Sequence, residues 1–153
     1  MLIIYDVWCI VLERKYVVIA LLVVATLILM YILATLRPQR EPDGWLFTVD
    51  VNGEKFKVLV TNPETAKLLR EMMRGERQGI IVGELRRGDG GFNKPWSWHL
   101  DPETIEIAEI TIELCDGTPS FIESELDYWL NTVKRYCPWG GVVVAEEPWY
   151  RGS

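Results

Sequence analysis

Residues 16–36 (YVVIALLVVATLILMYILATL) carry no charged side chain, and that run limits what the rest of the chain can be. In a helix rising about 1.5 Å per residue it is about 31 Å long, matching the hydrocarbon core of a bilayer. Arg14 and Lys15 precede it, Arg37 and Arg40 follow it, and Tyr16 and Tyr31 sit near its ends, where aromatic rings favour the headgroup layer. A buried core helix of this length needs more protein around it than a 153-residue chain supplies. A cleaved signal peptide needs small residues before the cut, and near Ala34 the matching position is Ile32. The fifteen residues ahead of the run are also long and apolar for a signal's leader. The run therefore reads as one uncleaved transmembrane helix. Two basic residues flank each end, so only the N-terminal amine tips the positive-inside count, placing the remainder outside the cytoplasm. Residues 1–15 form a juxtamembrane segment whose apolar part, 2–12, either extends the helix or lies along the interface. Cys9 there is expected to pack rather than react.

Beyond the run the composition changes. Residues 43–153 hold 12 Lys and Arg against 19 Asp and Glu, a net charge of −7. A nucleic-acid partner is excluded on this ground, because no basic domain is present to neutralise phosphates. Apolar and aromatic residues are too plentiful for a disordered chain, and three cysteines are too few for a cysteine framework.

Residues 37–44, with two prolines and a glycine, read as a linker to a soluble domain over 45–147, followed by a tail at 148–153. The clearest local signal opens that domain. Two alternating runs flank Asn52-Gly53, the preferred pair of a type I′ turn. The hairpin register places Val51 opposite Glu54, Val49 opposite Phe56, Phe47 opposite Val58 and Trp45 opposite Val60. A helix follows, with Asn62 as N-cap, Pro63 in its first turn and Gly75 past its end. Leu68, Leu69, Met72 and Met73 form its apolar stripe. Lys67, Arg70, Arg74 and Arg77 line the other side, as a solvated face rather than a basic recognition surface.

Residues 79–87 read as a strand, 86–95 as a glycine-rich loop, and 96–100 as a strand with Trp96, Trp98 and Leu100 on one face. The alternation of 104–115 predicts a long strand with a bulge near Ala108-Glu109. Ser120 and Glu123 have capping-box spacing, and Phe121, Ile122, Leu126, Trp129, Leu130 and Val133 follow helical spacing up to a stop at Pro138. Residues 142–147 read as a last strand. The fold class is α+β: a small, mostly antiparallel sheet with two helices, preceded by the single transmembrane helix.

The stretches Pro95-Trp-Ser-Trp-His-Leu-Asp-Pro, Glu113-Leu-Cys-Asp-Gly and Tyr136-Cys-Pro-Trp, with Gly53-Glu-Lys-Phe and Thr61-Asn-Pro-Glu, resemble an uncharacterised family of small bacterial and archaeal domains. That family is related to the N-terminal domain of a slime-mould calmodulin-binding protein. The resemblance covers about residues 45–147 and implies export, but supplies no activity and no catalytic residue. Calmodulin binding is not inherited with it, since a calmodulin target needs an exposed basic amphipathic helix and this domain is acidic.

Cys115 and Cys137 lie in those stretches. In an exported domain they can close a single disulfide; otherwise they are two buried thiols. His99, the only histidine, stands near Asp101, Glu103 and Asp116 in sequence, which keeps an acid/base or metal site in view against a structural histidine. No HExxH, paired cysteine motif, nucleophile elbow, P-loop ending or calcium-loop spacing is present, so no cofactor or metal is expected. Arg87-Gly88-Asp89 and the loop from Asp89 to Asn93 are too short or too irregular to carry a function. The tryptophans are the unusual feature, six of the seven falling in residues 45–149. Trp98 and Trp129 suit a core, whereas Trp96 and Trp139 are divided between core and an exposed platform.

The expectation is a single-pass cell-membrane protein displaying an extracytoplasmic module. That module would recognise a protein or glycan through an aromatic patch built from Trp96, Trp98, His99 and Trp139. The alternatives are an envelope hydrolase or metal-dependent enzyme centred on His99, Asp101 and Asp116, and a structural subunit whose span pairs within a larger complex. The span has no GxxxG pattern to favour the last.

Overall fold

The computed structural model describes residues 3–35 and 40–152, with side chains from residue 15 onward. Arg37, part of the expected linker, and the side chains of Cys9 and Arg14 lie outside the described residues. Two compact units divide at Glu41/Pro42.

The first unit is one helix, α1 (Ile3–Thr35). It begins well before the uncharged run, so the apolar residues ahead of that run extend the helix. Its Lys15–Thr35 portion is long and apolar enough to cross a membrane, and none of it is buried by protein. A core helix is thereby excluded, because such a helix is covered by its own fold.

The second unit begins with β1 (Gly44–Val51) and β2 (Glu54–Val60), joined by Asn52 (φ 55°) and Gly53 (φ 90°). All four expected pairs are observed. The positive φ at both turn residues matches the strand twist, which explains why Asn-Gly fixes the register. Phe47, Val49, Val51, Phe56, Val58 and Val60 consequently share one buried face. The last strand, β7 (Gly141–Trp149), pairs antiparallel with β1 and runs past the expected end at residue 147, giving a sheet ordered β2-β1-β7.

Helix α2 (Pro63–Met73) starts as the sequence indicates, with Asn62 Oδ1 accepting from the Glu64 and Thr65 N–H groups; Gly75 beyond its end has φ 72°. Its buried residues are Ala66 and Leu69, while Met73 is exposed, so the apolar stripe is displaced toward the N-terminus from the expected one. Arg70 does not face solvent freely. It chelates the Glu146 carboxylate on β7 (2.6–3.0 Å) and lies over the Trp45 ring at 5.0 Å, tying α2 to the sheet.

The second sheet is built on β3 (Ile80–Arg87). Its Leu85–Arg87 end pairs with β4 (Trp98–Leu100), its Ile80–Val82 end with β5 (Glu106–Ala108), and its middle with β6 (Arg135–Tyr136). The long strand expected over 104–115 is therefore only three residues. Ala108 pairs with Ile80, the first residue of β3, so beyond Ala108 no strand lies opposite and the alternating segment runs on unpaired. Ile110 and Ile112 are exposed, and Glu113–Cys115 form a 3₁₀ turn rather than a strand end.

Helix α3 (Pro119–Ser124) is capped by Thr118, whose Oγ1 accepts from the Phe121 N–H, and not by the expected Ser120–Glu123 box. Those two residues bond elsewhere. Glu54 accepts from the Ser120 N–H and hydroxyl at 2.7 Å, and Glu123 accepts from the Ser97 N–H at 2.9 Å. The helix kinks at Glu125, resumes as α4 (Leu126–Tyr128), and widens into a π turn over Trp129–Val133. The Lys134 N–H donates to the Trp129 carbonyl five residues back, at 2.7 Å, and Lys134 itself is left-handed (φ 67°). Helical structure thus ends at Val133, short of Pro138, and the chain turns into β6.

Candidate functional site

The four expected binding residues separate into three environments. Trp98 is fully buried, as is Trp129, and with Phe56 and Tyr136 they form an aromatic core. Both indoles meet the Tyr136 ring at near right angles (centroids 5.5 and 6.1 Å), the arrangement aromatic quadrupoles favour. Trp98 therefore cannot meet a partner. Burial drives the Tyr136 hydroxyl far above the usual phenol range, aided by the Asp116 and Glu54 charges; it donates to the Gly117 carbonyl at 2.9 Å.

Trp96 is half-buried and stacks on Trp98 at 6.2 Å. Its indole N–H donates to the Lys55 carbonyl at 2.8 Å, and the adjacent Asn93 Oδ1 accepts from the Lys57 N–H at 2.7 Å. These two side chains cover the outer edge of β2. Asn93 is the one fully buried polar residue among those described, and its Nδ2 donates to the Trp98 carbonyl at 2.7 Å, joining the two sheets. In the sequence it looked like part of a glycine-rich loop.

His99 points to the opposite side of β4 from Trp98. Its Nδ1 is 2.7 Å from the Gly88 carbonyl, and its ring meets Phe92 edge-on at 5.6 Å. Asp101 caps the 3₁₀ turn that follows β4 and pairs with Arg86 at 3.0 Å. Burial opposes ionisation of Asp101, but the Glu103 N–H and the Arg86 guanidinium outweigh it and hold the carboxyl below its ordinary value. Asp116 is used differently, accepting from the Gly117 and Trp139 N–H groups at 2.9 Å. The hydrogen bonds of His99, Asp101 and Asp116 thus lead to three separate local structures. Among the described residues no cluster of three or more metal-ligating side chains occurs. Arg87 of the Arg-Gly-Asp tripeptide pairs with Asp127, and Asp89 folds back on the Gly91 N–H.

Trp139 is the exposed member, with about half its surface accessible. It is also held firmly: the backbone N–H donates to Asp116 at 2.9 Å and the indole N–H to the Thr111 hydroxyl at 2.5 Å. Cys137, two residues earlier, is disulfide-bonded to Cys115, next to Asp116 (Cα–Cα 5.2 Å). The ring borders an open cleft of about 640 Å³ between the start of β7 (Gly141–Val143) and the segment 77–80, with Glu109 also on its wall. Exposed Val142 continues the apolar surface. A smaller hollow of about 250 Å³, lined by Ile110, Ile112 and Leu114, lies along the unpaired segment beside Cys115.

Charges at the cleft are less committed than most arginines of the domain. Arg70, Arg74, Arg86, Arg87 and Arg135 are all paired with carboxylates. Arg77 and Glu109 have no ion-pair partner among the described residues, and both line the cleft. Sequence reasoning placed Arg77 on a solvated helix face and gave Glu109 no role. The signal that could have found them is position: each stands at the boundary where a regular element runs out.

Fold and cleft define a disulfide-bonded α+β domain of two small antiparallel sheets, with an open, aromatic-walled cleft on its surface. Residues 41–150 match the family model for the N-terminal domain of a calmodulin-binding protein, and the chain belongs to that family. No curated protein and no solved structure shows significant similarity to it.

Proposed function

We propose that this chain is a single-pass membrane protein whose soluble domain is an extracytoplasmic binding module, and that the module takes its partner on the Trp139 cleft. The observation that carries the reading is Trp139 itself: half-exposed, with both of its N–H groups already bonded inside the domain. A large ring held in one orientation by its own fold contributes contact area with little further loss of side-chain freedom on binding. The apolar α1 supplies the anchor. The disulfide suits an oxidising compartment and supports the extracytoplasmic side.

The test uses the full chain in lipid nanodiscs. Acrylamide quenching is compared between the parent, Trp139→Phe and Trp98→Phe; the accessible fraction should fall in the first variant and not in the second. The same preparations are then offered an arrayed set of envelope oligosaccharides and a displayed peptide library. Trp139→Ala should abolish capture while lowering the melting temperature by only a few degrees. Capture unaffected by Trp139→Ala, or no capture by either probe set, defeats the proposal.

A further inference from the structure

The cleft has a backbone wall as well as an aromatic one. Strand β7 has one strand neighbour, β1, and among the described residues no strand pairs its other edge. The first three residues of β7 line the cleft. The opposite edge of the same sheet is treated differently, for the Lys55 carbonyl and the Lys57 N–H on β2 are covered by Trp96 and Asn93. An edge of unpaired N–H and C=O groups is a template for another strand, and proteins usually block it with lysine, proline or a covering element. Along Gly141-Val142-Val143-Val144 there is neither lysine nor proline.

We propose that this cleft binds one extended peptide segment of a partner protein, which adds to the sheet as a further antiparallel or parallel strand beside β7. The inference rests on the Trp139 cleft being the binding surface. Three features select this occupant. The cleft is bounded on its far side by residues 77–80 and Glu109, which admit a single strand; the edge of a second copy's sheet would bring its own neighbouring strand into that wall. Arg77 and Glu109 are unpaired and of opposite charge, so a segment carrying one acidic and one basic side chain satisfies both. Trp139 and Val142 offer apolar contact to side chains of the same segment. In strand addition the main-chain hydrogen bonds hold the segment, and alternate side chains give specificity.

The probe is a phage-displayed random dodecapeptide library, panned on the full chain in nanodiscs against empty nanodiscs. Selected peptides are synthesised, and their affinities measured by fluorescence anisotropy. N-methylation of alternate amides removes the donors that face β7. One set of alternate positions should weaken binding at least about tenfold, while the interleaved set leaves it within about twofold. Arg77→Glu should weaken binding by about tenfold, and exchanging the peptide's acidic residue for lysine should restore it. The idea is overturned if both N-methylated sets bind as well as the parent peptide, or if Arg77→Glu has no effect. It is also overturned, with the cleft still standing as a binding surface, if an acidic oligosaccharide such as oligogalacturonate binds in a Trp139-dependent way and no peptide does. If neither probe shows Trp139-dependent binding, the cleft reading falls as well.

Discussion

Replacing Asn93 removes the only side chain among those described that is both fully buried and polar, and the structure gives the size of the effect. Its Oδ1 accepts from the part-buried Lys57 N–H and its Nδ2 donates to the buried Trp98 carbonyl, each at 2.7 Å. Asn93→Ala strands both groups. An orphaned buried polar group costs about 1–3 kcal/mol. Water can reach Lys57, so that group stands at the low end, and the two together come to roughly 2–4 kcal/mol. At roughly 4 °C per kcal/mol for a domain of this size, the melting temperature should fall by roughly 10–15 °C. The assay is thermal unfolding of the full chain in detergent, followed by near-ultraviolet circular dichroism of the tryptophans. Asn93→Asp sharpens the test. Ionised, the new carboxyl can accept from Lys57 but cannot donate to Trp98; protonated, it can do both. Burial raises its folded-state pKa above the unfolded value of about 3.9. Its contribution is therefore fully present below the unfolded pKa and is lost as pH rises through the folded one, so this variant should approach the parent as pH falls from 7 toward 4. A fall of less than about 3 °C for Asn93→Ala, or no narrowing of the gap for Asn93→Asp on acidification, would refute the reasoning.

Reduction of Cys115–Cys137, or Cys137→Ser, opens a link spanning 22 residues. Loop entropy puts the loss at about 3 kcal/mol, to be read as a lower midpoint in urea with and without reductant. Asp101 is held below its ordinary pKa, so what it contributes is present above the unfolded value and lost as pH falls through the lower folded one. Asp101→Asn should flatten the acid limb of the stability profile between about pH 4 and pH 2; an unchanged limb would remove Arg86 and the Glu103 N–H as its cause.

The hairpin, α2 and the membrane-length helix were legible because each rests on local chemistry: a turn that requires positive φ, a cap and proline at one helix end, and length without charge. Elsewhere the same signals misled wherever the partner was distant. Residues 109–114 alternate like a strand, yet β3 has already ended opposite Ala108. Ser120 and Glu123 have the spacing of a capping box, yet Glu54 and the Ser97 N–H claim them. Of the candidate site, Trp139 was visible by residue type alone. The roles of Arg77 and Glu109 were not, because a charge is informative only when its lack of a counterion is known. The fate of Trp96 hinged on the Lys55 carbonyl, forty-one residues away.

The π turn at Trp129–Val133 closes a wider loop of backbone than a regular helical turn, so it holds what amounts to one inserted residue. In this stretch chain length therefore governs the outcome more than side-chain identity does. Deleting Thr132 would let a regular turn close, at the cost of moving everything downstream by one position. Along β6 a one-residue slip exchanges the two faces of the strand. Arg135 would then turn inward at the place Tyr136 now fills, and Cys137 would leave its position opposite Cys115. A family member one residue shorter here must have given up that pairing or recovered the missing residue before Tyr136.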